Sequence, residues 1–171
     1  MRLTGKMKQF LLYLSILSLV VIGCEGTKSA DEYFKQSEID RNAKNIKSSL
    51  ENLENLIKYY PDDPLAAKAQ YLIGDIYMND LRDFDAAISA YNMVVKKYDM
   101  SADSPKAQFM VGYIYANPQF GDVQDLEKAK NSYEVFLKKY PNHELAPSVQ
   151  FEMDNLGKDI NEIPALKHIA S

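Results

Sequence analysis

Few residues of this chain have the types and spacing needed for bond-making chemistry. It has no Gly-x-Ser-x-Gly elbow, no His-Glu-x-x-His pair and no glycine-rich phosphate loop. The two histidines, His143 and His168, have no metal-ligand spacing to another candidate, and both read as solvent-exposed residues. Cys24 is the single cysteine, so an internal disulfide is impossible. This inventory points away from an enzyme, a metal, a cofactor or a small-molecule substrate and leaves the chemistry of association. Aromatic residues recur at Phe34, Tyr71, Phe109 and Phe151, and four residues after them stand Glu38, Asp75, Tyr113 and Asn155. Aromatic anchors with polar neighbours suit a peptide site. An aromatic stripe at helical spacing also suits the core between packed helices, and the sequence leaves both readings open.

The elements that carry these residues repeat. AKAQYLIGDIY (67–77) aligns with PKAQFMVGYIY (105–115), and AAISAYNMVVKKY (86–98) aligns with KAKNSYEVFLKKY (128–140). The offsets, 38 residues from Gly74 to Gly112 and 42 from Ala87 to Ala129, fall in the range of helical-hairpin repeats. Ala87, Tyr91, Val94 and Tyr98 form one apolar stripe at the helical period, and Ala129, Tyr133, Phe136 and Tyr140 copy it. On the first helix, Gly74 and Tyr77 recur as Gly112 and Tyr115. The glycines cost roughly 1 kcal/mol each against alanine in a helix interior, so a close approach must justify them. Small residues facing large ones, Gly74 and Ala87 against Tyr77 and Tyr91, let two helices interlock. A single hairpin cannot bury its apolar faces alone, so the copies must stack.

This pattern resembles the tetratricopeptide repeat: a glycine and an aromatic on the first helix, an alanine and an aromatic on the second, and a closing Tyr-Pro at Tyr140-Pro141. The central copy departs by closing on Tyr98-Asp99 and by one extra residue in its turn; the next copy has five extra, in NPQFGDVQD (117–125). The resemblance implies an all-α, TPR-type solenoid of antiparallel helix pairs, about three repeats plus a C-terminal capping helix. It also implies a concave groove lined by the first helices, which would hold Phe34, Tyr71, Asp75, Phe109, Tyr113 and Phe151. The Lys/Asn clamp of repeats that bind chaperone tails is not reproduced, because aromatics hold its cationic position. That argues against an acidic C-terminal peptide as ligand. Asn42, Asn79 and Asn117 recur near the ends of the first helices, as helix caps or as donors to a peptide backbone. Phe120, in the long loop, reads equally as a partner contact or as a residue folded back on its hairpin.

The remaining chain frames this domain. Arg2, Lys6 and Lys8 precede an apolar run of 13 residues, Phe10 to Ile22, shorter than the ~20 that span a bilayer as a helix. Residues 1–23 therefore read as a secretory signal peptide. Val21-Ile22-Gly23-Cys24 resembles a bacterial lipobox, which would make Cys24 the lipid-attachment site, and acyl chains there would anchor the protein. Glu25 rather than Asp after the cysteine implies, by that resemblance, sorting to the periplasmic face of the outer membrane. Cys24 and a polar tether fill 24–30. The tetratricopeptide domain is expected over 31–158, with repeats at about 31–63, 64–102 and 103–143 and a cap at 144–158. The first copy is degenerate, with 40–44 making its turn; one long helix over 31–60 is the alternative. Residues 159–171 form a tail.

Composition is that of an ordinary globular chain, 46% hydrophobic and 26% charged. The net charge of −4, with no basic patch, argues against nucleic acid. The expected protein is a non-enzymatic, membrane-anchored adaptor with a protein or peptide partner in the cell envelope. It resembles the BamD/YfiO-like family of outer-membrane assembly lipoproteins, although the later repeats of that family have no counterpart here. A Tol-Pal or cell-division coordinator-like protein and a self-associating structural envelope protein are the alternatives.

Overall fold

A computed structural model describes residues 28–164; the expected signal peptide, Cys24 and the end of the tail lie outside the described residues. The fold is an all-α solenoid of the tetratricopeptide type. Seven α-helices follow one another among the described residues: α1 (Ala30–Asn42), α2 (Ile46–Tyr59), α3 (Pro64–Ile76), α4 (Phe84–Lys97), α5 (Ser104–Ala116), α6 (Leu126–Lys139) and α7 (Ala146–Asp154). Each packs chiefly on its neighbours in sequence, giving the hairpins α1/α2, α3/α4 and α5/α6 with α7 closing the stack.

Local chemistry starts these helices where they start. Ser29 and Glu32 form a reciprocal capping box on α1: the Ser29 N–H donates to Glu32 Oε2 at 2.7 Å, and the Glu32 N–H to Ser29 Oγ at 3.3 Å. Asp63 caps α3 just before Pro64 at its first turn, and Asp83 and Asp125 cap α4 and α6 by accepting from Ala86 N and Lys128 N. Between α1 and α2 the chain reverses at 43–45, where Lys44 adopts a left-handed φ of 64°, so two helices form in place of one.

Both insertions in the repeat are absorbed locally. The extra residue of the central hairpin becomes a π-helical turn over Tyr77–Leu81. It ends at Arg82, with φ 56°, and the Asp83 N–H returns to the Tyr77 carbonyl at 2.9 Å. The longer insertion forms a 3-10 segment, Pro118–Val123, kinked at Gly121, where φ is 68°. That kink turns Phe120 inward. Its ring is 8% exposed and lies 4.7 Å from Phe84 and 5.8 Å from Tyr113, so Phe120 is a packing residue.

The core is a series of clusters, each joining the second helix of one hairpin to the first helix of the next. Leu53 and Leu56 meet Ala66, Ala69 and Ile73; Tyr91 and Val94 meet Ala107, Val111 and Ile114; Tyr133 and Phe136 meet Ala146 and Val149. Stability is therefore shared between neighbouring repeats. Within a hairpin the tightest approach is glycine on tyrosine. A Cβ on Gly74 would lie 2.6 Å from Tyr91 Cε1, and one on Gly112 would strike the Tyr133 ring. Tyr91 and Tyr133 thus interlock with the glycines more directly than Tyr77 does, which sits in the π turn. Ala87 and Ala129 are fully buried, and Tyr115 is half-buried under the Lys128 ammonium.

Two further ties recur. Gln70 donates to the Ala90 carbonyl and Gln108 to that of Ser132, clamping each first helix to its partner. The closing tyrosines tie the far end of the hairpin to its beginning: Tyr60 donates to the Lys28 carbonyl at 2.9 Å, and Tyr140 meets Ser104 Oγ at 2.9 Å. Tyr98 has no such tie among the described residues, because Ala66 stands where Ser104 stands in the next repeat.

Gly112→Leu should overpack the Tyr133 contact and lower the unfolding free energy by roughly 1–3 kcal/mol, measured by circular dichroism in denaturant. An unchanged unfolding curve would overturn the close approach described here.

Candidate functional site

The residues expected along the groove divide by burial. Phe34 is core: it is 7% exposed, packs in the first cluster and carries the Lys68 ammonium 4.7 Å above its ring. It is covered rather than offered to a ligand. Tyr71 and Phe109 are half-buried and pack on the interlocking tyrosines, Tyr71 at 5.2 Å from Tyr91 and Phe109 at 6.2 Å from Tyr133. Tyr113 is half-buried between Phe109 and Phe120. Phe151 alone of the four ladder aromatics is exposed, at 37%. The ladder therefore runs from core at its N-terminal end to open surface at its C-terminal end.

Asp75 organises the polar part of the central repeat. Tyr91 donates to its carboxylate at 2.6 Å, and Arg41, from the preceding hairpin, reaches its backbone carbonyl at 3.5 Å. The same guanidinium pairs with Asp80 at 2.7 Å, and this pair is largely shielded. Burial pushes the Asp75 carboxyl above the usual aspartate range, while the Tyr91 hydrogen bond and Arg41 pull it back. Burial and the Asp75 carboxylate push the Tyr91 phenol far up; burial, then the nearby Asp75, raises Tyr71 to about 12. In the next repeat Tyr113 replaces Asp75, and the buried Tyr133 hydroxyl has no partner among the described residues.

Among the described residues, consecutive first helices border two clefts. Between α1 and α3 lies one of about 320 Å³, lined by Glu38, Arg41, Asn42, Leu72 and Ile76. Between α5 and α7 lies one of about 670 Å³, whose walls include Tyr113, Asn117, Phe151, Glu152 and Asn155. Its floor continues into Gly157, at φ 77°, and Ile163. The second volume and its aromatic walls are on the scale of a site for a side chain or short peptide segment.

Several of these residues escape a reading of the sequence. Arg41 and Asp80 are 39 positions apart, and nothing local pairs them. Glu152 lies in a failed repeat copy, where its only legible feature is being charged at the register position of Leu72 and Met110. His143 is a correction: it is half-buried rather than solvent-exposed, its ring packs edge-on to Phe136 at 5.9 Å, and its Nδ1 accepts from Leu145 N. The recurrent asparagines serve different local ends. Asn79 donates to the Asp75 carbonyl, Asn117 accepts from Gln119 N, and Asn42 is exposed at the end of α1. Among the described residues, no group of three or more His, Cys, Asp and Glu could hold a metal, and no helix is long and apolar enough to cross a membrane.

The family model of the tetratricopeptide repeat matches residues 68–99 and 106–143, which are the bulk of the α3/α4 and α5/α6 hairpins. No curated protein matches the sequence.

Asp75 supplies a pH test. Because burial raises its folded pKa above the ordinary 3.8, the folded chain keeps a proton that the unfolded chain has released. Its stabilising contribution is full below the ordinary value and is lost as pH rises through the folded one. Subtracting the stability profile of Asp75→Asn from that of the native chain should isolate this descending slope. Tyr91→Phe removes a downward pull, so it should move the Asp75 carboxyl higher still in a ¹³C NMR titration. A fall or no movement would show that the phenol does not donate to this carboxylate.

Proposed function

We propose that this chain, which carries tetratricopeptide repeats over 68–99 and 106–143, is a non-catalytic adaptor that holds an extended segment of a partner protein along its first helices. The observation that carries the reading is the pair of clefts bordered by α1/α3 and α5/α7, with Phe151 open to solvent beside the larger one. Tetratricopeptide repeats suggest protein or peptide partners, and this surface presents aromatic side chains next to polar ones. Phe34, Tyr71 and Phe109 hold the groove's shape, while Tyr113 and Phe151 offer it contacts.

The cellular setting proposed here comes from the sequence. Cys24 would carry lipid after removal of residues 1–23, and the adaptor would face the periplasm from the outer membrane. The envelope pathway favoured by resemblance is outer-membrane protein assembly, in the manner of BamD-like lipoproteins. The partner is then an envelope protein.

Crosslinking in intact cells, followed by identification of what co-purifies, tests both parts. Barrel-assembly components should accompany the native chain and be lost from Cys24→Ala, which should leave the membrane fraction. Phe151→Ala, at an exposed position, should lower partner recovery several-fold with an unchanged melting temperature; Tyr71→Ala would also disturb Tyr91. Recovery of Tol-Pal or cell-wall enzymes instead would overturn the assembly reading while keeping the adaptor. Full recovery with Phe151→Ala would overturn the groove.

A further inference from the structure

The two clefts share five register positions on their first helices, and the residues there differ in charge; the first cleft also reaches Ser49 and Leu53 of α2. Glu38, Arg41, Asn42, Leu72 and Ile76 in the first correspond to Tyr113, Ala116, Asn117, Glu152 and Leu156 in the second. Three of these exchanges alter the chemistry, the first being Glu38 to Tyr113, which removes an acid. Arg41 provides the first cleft with its own cation, whose guanidinium pairs with Asp80 across the repeat boundary. At that place the second cleft has Ala116, and it encloses about 670 Å³ against about 320 Å³. Leu72, an apolar wall of the first cleft, is replaced by Glu152. At these five positions each cleft thus has one carboxylate, Glu38 in the first and Glu152 in the second, and only the first has a cation.

Glu152 has no hydrogen-bond or ion-pair partner among the described residues, and burial holds its carboxyl above the usual glutamate range. A carboxylate partly withdrawn from water is favoured by an opposite charge placed beside it. Lys158 on the rim does not fill that role: its ammonium donates to the Asp154 carbonyl at 2.7 Å and to Asn155 Oδ1 at 3.3 Å. Asp159 adds a second acid to the lining. Tyr113 and Phe151 contribute aromatic surface, which attracts cations further.

We propose that the α5/α7 cleft is a subsite for a lysine or arginine side chain of the partner segment, with Glu152 pairing its charged head between Tyr113 and Phe151. The incoming cation would do between α5 and α7 what Arg41 does between α1 and α3. This inference rests on the groove reading above and adds the chemical character of the partner: a basic residue in an extended stretch. The two claims can fail separately.

The test uses the full chain and blocked octapeptide pools, randomised except for one central position fixed as Lys, Arg, norleucine or Glu. Binding is read by fluorescence anisotropy of labelled pools. The Lys and Arg pools should bind at least about tenfold more tightly than norleucine, the range expected for a charge-assisted hydrogen bond. The Glu pool should bind most weakly. In Glu152→Gln, and in Glu152→Leu, which installs the residue of the first cleft, the preference for a cation should vanish while norleucine binding is kept. Melting temperatures of both variants verify folding.

Equal binding of the Lys and norleucine pools would overturn the cation subsite and leave the groove. A preference surviving in Glu152→Gln would place the cation elsewhere and equally overturn the assignment. Binding by no pool would remove the groove reading and this inference with it. If Lys167→Ala alone raised the Glu152 pKa in an NMR titration without peptide, the occupant would be the chain's own tail, and a partner's cation would be excluded.

Discussion

In the α3/α4 and α5/α6 hairpins, a tyrosine ring of the second helix occupies space that a Cβ on the first helix would need. Tyr91 holds Gly74 and Tyr133 holds Gly112 in this relation. The contact draws the two helices together along one line, so it sets the separation at which Gln70 and Gln108 reach the carbonyls of Ala90 and Ser132. It also fixes where each phenol hydroxyl lies, that of Tyr133 being buried without a partner among the described residues. In the central repeat the Tyr91 hydroxyl finds Asp75 at 2.6 Å, and Asp75 in turn lies beside Arg41 of the preceding hairpin. The glycine-tyrosine contact thereby couples the interior of a hairpin to the polar lining of the groove.

That coupling is unequal along the stack. Towards the N-terminus the polar groups satisfy one another: Arg41 with Asp80, Tyr91 with Asp75, Ser49 with the Ser37 carbonyl. Towards the C-terminus the places of Arg41 and Asp75 hold Ala116 and Tyr113, that of Leu72 holds Glu152, and these three make no polar side-chain bond among the described residues. The stack thus combines a self-satisfied end, which supports shape, with an end whose aromatic and acidic groups face a larger cleft. A repeat protein can divide labour in this way because each unit touches only its neighbours, so one repeat can change its lining without disturbing the next.

Much of the fold was legible from residue types alone. The 3.6-residue period of Ala87, Tyr91, Val94 and Tyr98, copied from Ala129 to Tyr140, locates the paired helices and their register. The insertions could be counted, though not their form: the extra residue became a π turn and the longer loop a kinked 3-10 segment, because backbone hydrogen bonds must be closed in each case. The site was less legible. Phe34, Tyr71, Phe109 and Phe151 form an even ladder in the sequence, yet Phe34 is enclosed and Phe151 exposed. Phe120 and His143, both in loops, turn inward onto aromatic neighbours that lie far off in the chain or across a turn.

The sequence by itself determined the second and third hairpins, their order and their interlocking residues, since these depend on periods and side-chain sizes within a few dozen positions. That 31–60 folds as a hairpin rather than one helix was decided by the structure. Only the tertiary structure decided which aromatics are core and which are surface, that Arg41 meets Asp80, and that Glu152 stands without a partner among the described residues. The physical reason is that burial and charge pairing belong to the space between helices. Two residues at equivalent positions in the repeat can have the same spacing and different neighbours, and the neighbours set whether a ring is covered or a carboxylate is paired.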